Sequence, residues 1–104
     1  MSTDPPIVCS LTAAELPARL AEIRAVGEHA LLSSRQTTDG AVLRLRPGAG
    51  TRTRVEALLQ AEEECCPFLA FELSEREDAI VLTIRSPEDG RAVVQDLVAT
   101  FEGA

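Results

Sequence analysis

The chain of 104 residues has no lysine, no tryptophan and no tyrosine, and all ten of its basic residues are arginine. Without lysine there is no Schiff-base nucleophile, no P-loop lysine and no lysine-rich tail. Three phenylalanines, Phe68, Phe71 and Phe101, are the whole aromatic complement. That argues against the stacking platforms that hold single-stranded nucleic acid. His29 is the sole histidine, so a Ser-His-Asp triad would have to run through it. Apolar runs are short, Ala79-Ile80-Val81-Leu82 being typical, whereas a membrane span needs ~18 such residues. Met1-Ser2-Thr3-Asp4-Pro5-Pro6 has neither the basic stretch nor the apolar stretch of a signal peptide. A cytoplasmic location with reduced thiols is the expectation, with no membrane partner.

What is present is globular. Hydrophobic residues make up 45% and charged residues 26%, which suits one domain with its own core. Residues 1–6 are expected to be a disordered lead, and residues 7–104 a single α+β domain. The net charge of −7 is unevenly placed. Five arginines balance five acids in residues 1–50, while five arginines face twelve acids in residues 51–104. The second half repels a polyanion, so no nucleic-acid partner is expected.

Periodicity and turn signals give the elements. Ile7 to Leu11 reads as a short strand. Thr12 with Glu15 makes a capping box, and Leu16, Leu20, Ile23 and Gly27 follow helical spacing. Pro17 means that this helix either begins there or has a separate first turn. Ala30 to Thr37 and Ala41 to Arg46 read as strands joined by a tight Asp39-Gly40 turn. A second capping box, Thr53 with Glu56, opens a helix that Pro67 ends. Strands follow over 68–73 and 79–85. Ser86-Pro87-Glu88-Asp89 then starts a last helix, with Ser86 as its cap. The order is β-α-β-β-α-β-β-α, with no sequence repeat. It implies a two-layer α+β fold, ferredoxin-like or a related antiparallel or mixed sheet, with helices on one face.

Chemistry concentrates in three thiols, Cys9 and the adjacent pair Cys65-Cys66. Helical spacing puts Glu62, Cys65 and Cys66 on the apolar side of the second helix with Leu58 and Leu59. A carboxylate in an apolar stripe calls for a partner. Three readings follow. Thiolates capture soft ions, so the three sulfurs, with Glu62 as auxiliary ligand, would hold mercuric, arsenite, cuprous or zinc ion. A vicinal pair can instead cycle through a disulfide as a thiol-disulfide redox protein. Free cysteine also packs as a small hydrophobe, which would leave a non-catalytic ligand-binding or dimerisation module. A homodimer through a semi-polar sheet face with Arg44, Arg46, Thr83 and Arg85 belongs to that third reading. The helix C-terminus and three successive glutamates disfavour a free thiolate, and a bound cation reverses this. No catalytic residue and no organic cofactor is implied.

Two other groups of residues invite a reading. Arg44, Arg46, Arg52 and Arg54 flank Pro47-Gly48-Ala49-Gly50, as a solvated basic loop or an anion site. Glu75, Glu77 and Asp78 read as a solvated turn. His29, as a candidate fourth ligand, reads more simply as a surface residue at a helix end.

Cys9-Ser10-Leu11-Thr12, Glu62-x-x-Cys65-Cys66-Pro67-Phe68 and Leu82-x-Ile84-x-Ser86-Pro87 together resemble a family of small bacterial proteins. That family is of uncharacterised activity, and its members are sometimes associated with MerR-type, mercury-responsive regulators. The Glu-x-x-Cys-Cys-Pro-Phe segment is the distinctive part. The resemblance implies that Cys9, Cys65, Cys66 and Glu62 form one site for a thiophilic ligand. No helix-turn-helix is evident, so a regulatory role would need another chain.

Overall fold

The computed structural model describes residues 16–65 and 68–103. The expected lead, the strand over 7–11 and the Thr12–Glu15 capping box lie outside them.

Helix α1 spans Leu16–Ala30. Pro17 is its second residue, where its missing N–H leaves no helix bond unmade and its fixed φ suits the turn. The proline therefore belongs to the helix start and does not break it. Ile23, Val26 and Ala30 are buried along one stripe. The chain passes directly into β1 (Leu31–Thr37), and then through Thr38 and Asp39 into β2 (Gly40–Leu45).

The Asp39-Gly40 hairpin forms as expected, but for a different reason. Gly40 pairs with Thr37 in the ladder, and neither it nor the two turn residues has a positive φ. The primed turns that favour glycine need such angles. Gly40 is required by space, because a Cβ there would stand 1.8 Å from the carbonyl oxygen of Ile84.

Helix α2 runs Ala49–Cys65, starting four residues before the expected Thr53 cap. Arg52 N–H donates to the Gly48 carbonyl at 3.0 Å, so the first helical bond closes onto Gly48. Thr53 lies exposed within the helix, and Glu56 accepts from Arg52 Nε at 2.5 Å. Strand β3 is Ala70–Glu75, two residues later than expected. Phe68 and Leu69 are instead buried in the core before the strand begins. The Phe68 ring lies close to Gly90, where a Cβ would meet it at 3.0 Å.

Strand β4 is Ile80–Arg85. A 3-10 turn over Glu88–Gly90 leads into α3 (Arg91–Phe101). Ser86 does not cap it: its hydroxyl donates to the Pro87 carbonyl at 2.9 Å. Gly90 N–H closes the first turn onto Pro87.

The sheet is antiparallel throughout, in the order β1-β2-β4-β3. The chain thus lays down helix-hairpin twice, α1-β1-β2 and α2-β3-β4, a repeat of topology without a repeat of sequence. The two hairpins meet at a seam between β2 and β4. Ala41, Leu43 and Leu45 of β2 and Ile80, Leu82 and Ile84 of β4 point into one core. There they meet Ile23 and Val26 of α1, Val55 and Leu58 of α2, and Val94, Leu97 and Phe101 of α3. All three helices therefore cover the same face, and the α+β reading holds. At Gly27, α1 runs against α3, and a Cβ there would stand 1.8 Å from the Phe101 carbonyl oxygen.

Among the described residues, no helix covers the other face, the open face of the sheet. Register aligns Arg35, Val42, Thr83 and Glu72 in one row across it, and Ser33, Arg44, Val81 and Ser74 in the next. Leu32 is the extra residue at a bulge in the edge strand β1, and is 48% exposed. No helix among the described residues is long and apolar enough to cross a membrane.

Candidate metal centre

Helix α2 carries its buried residues at Thr51, Val55, Leu58, Leu59 and Glu62. The spacing is that of one helical stripe, and the acid falls on it where sequence periodicity places it. Glu62 is only 5% exposed. Its Oε1 accepts from Arg19 Nη1 at 2.9 Å, an ion pair that ties the first turns of α1 to the last turns of α2. The arginine side chain is 17% exposed, so both charges are largely withdrawn from water. Such a pair costs desolvation and offsets it by direct attraction and hydrogen bonding.

Sequence reasoning demanded a partner for Glu62 but did not find Arg19. The signal was there. Arg19, Ile23, Val26 and Ala30 follow helical spacing, so the arginine begins the buried stripe of α1.

Cys65 is the last residue of α2, one turn beyond Glu62. The side chain of Cys65, with Cys9 and Cys66, lies outside the described residues. Among the described residues, no three His, Cys, Asp or Glu side chains form a group able to hold a metal ion. The carboxylate member of the expected set is therefore described, and the thiols are not. His29 sits exposed in the last turn of α1. It is ten residues beyond Arg19, or ~15 Å along the helix, so the fold does not bring it to Glu62.

Two of the four arginines of the basic loop are committed to ion pairs. Arg44 binds Asp78 at 3.0 Å, and Arg52 binds both Glu56 and Glu75, the latter at 2.6 Å. Its hydrogen bonds to the carboxylates of Glu56 and then Glu75 hold the Arg52 guanidinium well above its ordinary value. All three acids expected as a solvated turn are exposed, and two of them pair there, Glu75 with Arg52 of α2 and Asp78 with Arg44 of β2. An anion arriving at Arg44 or Arg52 would have to displace carboxylates already in place.

The described fold and site define an antiparallel α+β protein with a buried carboxylate-guanidinium pair beside a vicinal cysteine sequence. No family model, no curated protein and no solved structure matches the chain.

Proposed function

We propose that the chain binds one soft metal or metalloid ion through the thiolates of Cys9, Cys65 and Cys66, with Glu62 as an auxiliary group beside it. Mercuric, arsenite, cuprous and zinc ions are the candidates, since thiolates select soft ions. The observation that supports this reading is the buried Glu62-Arg19 pair, one helical turn before the vicinal cysteines. A charge pair is an expensive way to fill space at a helix-helix contact, and apolar residues there are often as stabilising. On this reading, the pair would serve a thiolate-bound cation as a polar neighbour.

Electrostatics favour an ion over a free nucleophile. The C-terminus of α2 and the exposed Glu63 and Glu64 raise the cost of a bare thiolate, while a bound cation lowers it. A reducing, cytoplasmic setting would keep the thiols available.

Native mass spectrometry of the full chain with each of the four ions tests the reading. One ion retained per chain, and lost in the Cys65→Ala/Cys66→Ala double variant, is the expected result. Retention of no ion, or retention unchanged in that variant, overturns it. Thiol titration with and without reductant separates the redox alternative, which requires a loss of free thiol on oxidation.

A further inference from the structure

We propose that the open face of the sheet is the contact surface of a homodimer, with the two-fold axis parallel to the strands. This inference is independent of the ion site, because that face lies opposite the helices that carry Arg19 and Glu62.

The argument rests on register. One row across the face reads Arg35, Val42, Thr83, Glu72, from the β1 edge to the β3 edge. A two-fold axis parallel to the strands lays β1 of one protomer over β3 of its partner, and β2 over the partner's β4. The row then faces itself reversed. Arg35 meets the partner's Glu72, and Val42 meets the partner's Thr83. The neighbouring row of Ser33, Arg44, Val81 and Ser74 places Arg44 over the partner's Val81. The row of Thr37, Gly40, Arg85 and Ala70 places Arg85 over the partner's Gly40. No arginine faces an arginine in any of the three rows. Strands aligned in this way match the usual class of sheet-on-sheet packing.

The charges already present single out one residue. Arg85 is neutralised within the chain by Glu72 at 3.2 Å and Asp39 at 3.7 Å, and Arg44 by Asp78. Arg35 is exposed and has no ion pair among the described residues. Its row-mate across the axis is Glu72, which would be shared between Arg85 of its own chain and the partner's Arg35. The centre of the face, Val42, Val81 and Thr83, is half-buried. Four strands at ~4.8 Å and six residues at ~3.4 Å span only about 400 Å² of plane, so the dimer belongs to the weak class of interfaces.

Sedimentation velocity of the full chain between about 1 µM and about 1 mM reads the association directly. A concentration-dependent dimer is expected. Arg35→Glu should weaken it about tenfold or more, by setting a carboxylate against the partner's Glu72. Glu72→Arg should weaken it too, and the double variant Arg35→Glu/Glu72→Arg should bind more tightly than either single change. Arg35 and Glu72 lie three strand spacings apart in one sheet, ~14 Å, so that rescue has to act between chains. Val42→Asp, at the centre, should abolish the dimer. Circular dichroism confirms that each variant is folded. A chain that stays monomeric to ~1 mM, a double variant no tighter than the singles, or a dimer indifferent to Val42→Asp overturns the proposal.

Discussion

Glu62 is a small carboxylate with a large structural consequence. A buried carboxylate is costly without a partner, and Arg19 is one that it has. Replacing Arg19 by Met withdraws that counter-charge from a side chain with 5% exposure and is expected to cost about 2–4 kcal/mol. Glu62→Leu leaves the guanidinium facing an apolar neighbour, and a smaller loss is expected, about 1–3 kcal/mol, because Arg19 can extend towards solvent. The double change Arg19→Met/Glu62→Leu should recover a good part of either loss, since an apolar pair needs no desolvation. Urea unfolding of the four proteins gives the coupling energy. Additive losses would mean that the two side chains act separately. Native mass spectrometry of the same four proteins with each candidate ion tells whether the pair bears on the proposed binding as well as on stability.

The elements separate what a sequence displays from what it hides. Alternation displayed β2 and β4 within a residue of their observed ends, because both present one face to a single core. The last stripe, Val94, Leu97 and Phe101, was equally legible. Helix starts were not. Thr53-Glu56 and Ser86-Glu88-Asp89 have the composition of caps, yet α2 closes its first bond onto Gly48 and α3 enters through a 3-10 turn. In both cases, tertiary packing fixes where the chain turns. Arg52 in the first turn of α2 pairs with Glu75 of β3, and the Phe68 ring packs at Gly90 where α3 begins. The candidate site was legible as a stripe but not as a pair, because Arg19 and Glu62 are 43 positions apart. Ser86→Ala supplies the check at this scale. A working cap would cost about 1 kcal/mol on removal. Ser86 caps nothing, so a loss below about 0.5 kcal/mol in urea unfolding is expected.

At the scale of the whole molecule, the sheet divides the described residues into two sides of different character. The helical side carries the core and the Glu62-Arg19 pair, and the open side carries ordered rows of polar and half-buried residues. The seam between β2 and β4 holds the two hairpins together, and it also bears on how the chain reaches this state. Each hairpin joins neighbours in sequence, Thr37 to Gly40 and Glu75 to Ile80. The seam joins residues at least 35 positions apart, beginning with Leu45 and Ile80. Closing it therefore costs about 2 kcal/mol more chain entropy than closing a hairpin. That makes the seam the kinetic bottleneck of folding. In stopped-flow refolding, Thr83→Ala on the seam should slow folding nearly in proportion to the stability it removes. Leu31→Ala on the outer strand should act mainly by speeding unfolding. The helix-hairpin repeat thus sets an order of assembly, in which two locally formed halves wait on a single long-range encounter.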